Sequence, residues 1–224
     1  MVFQILTTGG LEFWVKAVLL GLFACSLMVA IIPHEVAHGV AALKQGDPTA
    51  KMAGRLTLNP AKHMDPMGLL AFCLIGFGWA KPVPVNPFNY RNFKRGNFWV
   101  SIAGICTNLI IAFVLSLALF FCDKYGNMNS QIVFFLWWFL WLCVILNITL
   151  AIFNLIPVFP LDGFNLLVSF TKPNNRYMDF VRQNSTMMII VVMLLVYFTN
   201  FIQILQGFVF EGFMWLWGIV FKWL

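Results

Sequence analysis

Apolar and polar positions in this chain fall into long blocks rather than the short periods of a soluble fold. Between Phe13 and Pro33 the only charge is Lys16. Apolar blocks also run over Phe98–Cys122 and Ile132–Phe153, and a fourth begins at Met187 and continues past Phe201. A helix needs about 20 apolar residues to cross a hydrocarbon core about 30 Å thick, so these four blocks are predicted to be membrane spans. The tail from Phe208 to Leu224 is aromatic but carries Glu211 and Lys222. Its pattern fits either a further span or a helix at the interface. Gly68–Gly78 is too short to span, and Pro82, Pro84 and Pro87 follow it closely. We expect a re-entrant segment leading into an extended, hairpin-like loop, because non-helical backbone at membrane depth must be buried in protein or line a wet cavity. The predicted fold class is an all-α polytopic membrane protein with about four to six transmembrane helices and this short re-entrant loop. One domain is expected over 1–224, with a core of about 12–170 and C-terminal helices in 185–224.

Composition agrees with that pattern. The chain is 61% hydrophobic and 10% charged, whereas soluble domains carry about 25% charged residues. Its mean hydropathy is +0.87. A soluble helical protein of this make-up would lack the polar surface to stay in solution. The net charge of +6 comes from loop residues without a basic-helix signature, so the bilayer is the expected partner and nucleic acid is not. Eleven of the fourteen Lys and Arg lie in 44–67, 80–97 and 158–185, while the loop at 123–130 has only Lys124. The positive-inside rule places those three loops in the cytoplasm and the N-terminus outside. The first block lacks a basic n-region and a small-residue cleavage site, so it is read as a retained span, not a signal peptide. Cys25, Cys73, Cys106, Cys122 and Cys143 lie in or beside apolar blocks with no C-x-x-C spacing. Neither a disulfide framework nor a cysteine metal site is expected.

The chemistry enters at the inner end of the first block, where His34-Glu35-Val36-Ala37-His38 forms H-E-x-x-H. Residues i and i+4 share a helix face, so both imidazoles can bind one zinc ion, with Glu35 as general base toward water at the metal. Pro33, immediately before, removes a backbone hydrogen bond and either kinks the helix or serves packing. A catalytic zinc takes three protein ligands and keeps one position open. His63, Asp65 and Asp162 are the candidates for the third. Asp162 lies in an apolar setting at the end of the third span, the depth at which His34 and His38 fall, and an intramembrane carboxylate is functional by default. The competing role for Asp162 is to cap a helix starting at Gly163. His63 and Asp65 fit either turn and cap positions or a supporting role behind the metal or substrate. Asn108, on an apolar span, fits a packing hydrogen bond or a site role.

These motifs resemble the site-2 protease family of intramembrane zinc metalloproteases. The likeness lies in His34–His38 and in Asn154-x-x-Pro157-x-x-Pro160-Leu161-Asp162-Gly163. The resemblance implies that Asp162 is the third zinc ligand. Leu58-Asn59-Pro60-x-x-His63-x-Asp65-Pro66-x-Gly68 and Gly78-Trp79-Ala80-Lys81-Pro82-Val83-Pro84-Val85-Asn86 are similar to the compact bacterial subgroup. In that subgroup the region forms a re-entrant β-hairpin proposed to hold substrate as an extended strand. The family's A-G-P-x-x-N reads Ala103-Gly104-Ile105-Cys106-Thr107-Asn108 here, with the proline missing and the asparagine kept. No PDZ-like or nucleotide-sensing module is expected.

The resemblance implies an intramembrane zinc endopeptidase with one Zn²⁺ per chain, held by His34, His38 and Asp162 and served by Glu35. Asn108 or Asn154 would hydrogen-bond the substrate backbone or the oxyanion. The implied substrate is a single-span membrane protein cut in regulated intramembrane proteolysis. The implied location is a bacterial inner membrane with the active site toward the cytoplasm, and there is room for a regulatory membrane partner. Two other readings compete. A non-proteolytic, zinc-binding assembly or chaperone-like subunit would have no use for Glu35, and a metal transporter would need a ladder of ligands that the third and fourth spans lack.

Overall fold

The computed structural model describes residues 12–68, 80–171 and 175–223. The first apolar block and its motif form one helix, α1 (Phe13–Gln45), which continues through Pro33. At 33 residues it is about 50 Å long and outreaches the hydrocarbon core. Gly46 ends it at φ 111°, a left-handed conformation that glycine adopts freely. Two further long helices follow, α2 (Phe93–Tyr125) and α3 (Gln131–Asn154). A short helix, α4 (Asp162–Phe170), leads to α5 (Arg176–Gln183), α6 (Ser185–Thr199) and α7 (Phe201–Val220).

Helices α1, α2, α3 and α7 are each long and apolar enough to cross a membrane, and α5 and α6 form a pair bent by 86°. The C-terminal part departs from the sequence expectation. The block from Met187 does not run on past Phe201 as one helix, because Asn200 adopts a left-handed conformation (φ 50°) that breaks it. The fourth helix of spanning length is the aromatic tail, α7. Asparagine visits this region more readily than most residues, which explains its place at the break.

α2 is the centre of the bundle and packs against α1, α3 and α4. Ala112 and Leu119 of α2 meet Leu140, Val144 and Ile148 of α3 in a buried core. Trp217 of α7 donates its indole N–H to the Ser116 hydroxyl at 2.8 Å, which ties the tail helix to α2. Large apolar side chains such as Ile110, Val114 and Phe208 face outward; in a bilayer they contact lipid rather than water. The expected re-entrant segment at 68–78 lies almost wholly outside the described residues. The described flank of the hairpin-like loop is extended. Met64 and Ala80 form an antiparallel bridge, and the Lys81 N–H donates to the His63 carbonyl at 2.8 Å.

Candidate metal centre

Helical geometry places His34 and His38 one turn apart on the α1 face that meets α2, and both are buried. Asp162, the first residue of α4, completes the group. Its Oδ2 lies 3.2 Å from Nε2 of each histidine, and the two Nε2 atoms are 3.0 Å apart. Leu161 takes the N-cap position of α4 and Asp162 is already its first helical residue, so the capping alternative is not the one the fold uses. α4 is held in place by Asn97 of α2, whose amide donates to the Asn165 carbonyl and to the Ser169 hydroxyl. Gly163 lets the first turn of α4 sit against the backbone of Leu155 and Ile156, because a Cβ there would run into their carbonyl oxygens.

The hydrogen bonds behind the histidines decide their tautomers. His38 Nδ1 faces the Val100 carbonyl at 2.7 Å, which can only accept. His34 Nδ1 faces Asn108 Oδ1 at 2.5 Å. The Asn108 amide group is oriented by donating to the Ala30 carbonyl (2.9 Å) and to Asn147 Oδ1 (2.7 Å). Both Nδ1 atoms therefore carry the proton, and both Nε2 atoms present lone pairs. Two nitrogen lone pairs and a carboxylate oxygen converge with no hydrogen between them, which is repulsive without a cation. Three N and O donors within 4.8 Å of one another suit Zn²⁺. Gly104 of α2 forms the wall. A Cβ built on it would lie 2.6 Å from His34 Cε1 and 2.7 Å from His38 Nε2, so this approach of α2 to the ligands requires glycine. Gly104→Ala is expected to lower zinc affinity at least about tenfold through a shift of the ligand pair, with all three ligands still present. Zinc content after titration with a chelator checks it.

Glu35 sits beside His34, and its Oε2 accepts the Val83 N–H at 2.8 Å. The remaining expected site residues separate. Both amide hydrogens of Asn108 are taken by Ala30 and Asn147, so this residue orients His34 and has none left for a substrate carbonyl. Asn154 closes α3 and donates to the Leu150 carbonyl of its own helix, with no hydrogen bond to the three ligands among the described residues. Asp65 caps the turn that follows it, accepting from the Met67 and Gly68 N–H groups. His63 is buried and its Nε2 faces the Thr57 carbonyl at 2.7 Å, with no hydrogen bond to the three ligands among the described residues. Asn147 and Val100 were not singled out in the sequence, and Gly104 entered only as part of the Ala103–Asn108 motif. For Asn147 a signal existed, since it is a lone amide inside an apolar span.

Two histidines of an H-E-x-x-H helix and a half-buried aspartate around one point form the donor set of a zinc metalloprotease. Comparisons with known proteins agree. The profile of Peptidase family M50 matches residues 123–198, the stretch that carries Asp162. "Putative zinc metalloprotease YwhC" of Bacillus subtilis (strain 168) is 41% identical over 152 residues, covering 67% of this chain and 69% of that protein. "Putative zinc metalloprotease Rip2" of Mycolicibacterium smegmatis is 27% identical over 191 residues, covering 79% of this chain and 71% of its own. No solved structure matches the chain significantly. The chain belongs to the M50 (site-2 protease) family.

Proposed function

We propose that this protein is an intramembrane endopeptidase that cuts the transmembrane segment of a single-span membrane protein. The observation that carries the reading is the convergence of Asp162, at the start of the short helix α4, on His34 and His38, which with Glu35 stand on α1, a helix of spanning length. These three residues would hold Zn²⁺, which when bound would act as a Lewis acid toward the peptide carbonyl and lower the pKa of water. Glu35 has one oxygen engaged by Val83 N–H, leaving Oε1 to take a proton from the attacking water and pass it to the departing amine. Asn108 keeps His34 in the ligating tautomer, and Val100 does the same for His38. The second amide hydrogen of Asn154 remains for the substrate backbone.

A helical substrate has its backbone groups paired, so it must unwind before a peptide bond is open to attack. In the Lys81–Asn86 run the Val85 N–H and the carbonyls of Pro82, Val83, Pro84 and Val85 have no hydrogen bond among the described residues and are left for an unwound strand, which offsets part of the lost helical hydrogen bonds. The basic loops favour a cytoplasmic active site and an outside N-terminus; the likeness to the compact bacterial subgroup favours a bacterial inner-membrane location, with access for a regulatory membrane partner.

The test is cleavage of a panel of single-span peptides by purified protein in detergent, with zinc removed by a chelator and then restored. We expect about one zinc per chain and cleavage that is lost and recovered with the metal. Bound zinc with no cleavage of any peptide would favour the non-proteolytic assembly subunit. Metal carried into sealed vesicles would favour a transporter.

A further inference from the structure

Asp47 is a second carboxylate shut off from solvent, placed just beyond the end of α1. Gly46 turns the chain there, and the Asp47 N–H donates to the Ala42 carbonyl at 2.9 Å. One carboxylate oxygen accepts from the Thr49 N–H at 3.1 Å, the Thr49 hydroxyl and the Asn89 amide at 2.8 Å. The other accepts from the Asn86 N–H at 2.7 Å. Burial pushes this carboxyl up, but the hydrogen bonds from Asn86, Asn89 and Thr49 outweigh it and hold the group below its ordinary value. It is therefore an anion at neutral pH. Burial, and then the charge of Asp47, push the neighbouring Tyr90 up to about 12, which keeps that phenol neutral.

The other end of the same extended run is also clamped. Arg55, itself buried, donates Nη2 to the Lys81 carbonyl at 2.6 Å. The Lys81 N–H is held by the His63 carbonyl at 2.8 Å. Between the clamps, Pro82 and Pro84 have no N–H to give, and the Val83 N–H goes to Glu35 at 2.8 Å. The Val83 side chain is buried against α1 at Gly39. A Cβ on Gly39 would lie 3.0 Å from the Val83 side chain and 2.6 Å from the end of Leu56, so the missing Cβ lets the run lie close to α1.

We propose that Asp47 and Arg55 are positioning residues for the reaction. By clamping the two ends of the 81–86 run, they hold the Val83 N–H on Glu35 Oε2 and so aim the carboxylate that moves the proton. Neither residue touches the metal ligands; both act through one backbone amide. A glutamate on three rotatable bonds is otherwise free to swing, and small misplacements of a reacting group cost about 100-fold in rate. The activity arm of this proposal rests on the protease reading; the contact arm does not.

The experiment is hydrogen–deuterium exchange on the full, zinc-loaded chain in detergent, combined with steady-state kinetics. The flanking prolines carry no amide, so the Val83 amide is easily resolved in peptides from this run. Glu35→Ala is expected to speed its exchange about tenfold or more, the loss of one charge-assisted bond. Asp47→Asn preserves size but removes an anionic acceptor. It is expected to speed exchange at Val83 as well as at Asn86, and to lower kcat about ten- to a hundredfold with KM and zinc content near the parent. Arg55→Leu is expected to do the same, and Arg55→Lys, which keeps a donor for the Lys81 carbonyl, to recover most of the loss. The proposal is overturned if Asp47→Asn frees Asn86 and leaves Val83 protected, if zinc is lost, or if only KM changes. If the parent cleaves no peptide, the protease reading fails, and the exchange data still decide the contact.

Discussion

Glu35→Gln is expected to retain about one zinc per chain and to lose about 10²–10⁴-fold in cleavage, the range general acid–base catalysis contributes. Glutamine has the size of glutamate but cannot take a proton at neutral pH. Its carbonyl oxygen can still accept the Val83 N–H that Oε2 accepts in the parent, so the 81–86 run keeps its support. Glu35 is not among the converging ligand atoms, so zinc has no reason to leave. A large loss with zinc retained would thus be chemical, not structural. Zinc determination beside initial cleavage rates checks this. Cleavage within a few-fold of the parent would remove Glu35 from the role of base.

Asp162→Ala is expected to act the other way, through the metal. Apparent zinc-binding energies of about 10–16 kcal/mol are shared among the ligands of a protein site, so one ligand carries on the order of 3–4 kcal/mol, a few hundredfold in affinity. Removing Asp162 leaves His34 and His38 with Nε2 atoms 3.0 Å apart and no anion to offset the charge of a divalent ion. The fold should hardly notice. Asp162 makes no cap on α4, and α4 remains fixed by Asn97 and by the close approach at Gly163. The expected result is a chain with near-parent melting temperature, zinc lost at far lower chelator concentration, and no cleavage. A variant that keeps zinc at parental affinity would show that Asp162 is not a ligand.

The sequence by itself determined that α1, α2 and α3 are long and apolar enough to span a membrane, because partition of a block depends on its own apolar content and length. It also determined the His34–His38 pair with Glu35 between, because one helical turn sets that spacing within a single element. It reached Asp162 through depth and through a motif, and left open whether that residue capped a helix. The break at Asn200 stayed hidden, since one left-handed residue inside an apolar run leaves the hydropathy unchanged. Only the tertiary structure decided that Asp162 faces the histidines, that Asn108 stands behind His34 with Asn147 behind it, and that Gly104 is the wall of the centre. It alone joined Val83 to Glu35, and Asp47 and Arg55 to the run that carries Val83. Such pairings join segments far apart in the chain, and their partners are mostly backbone amides and carbonyls, which every residue possesses and no side-chain pattern announces.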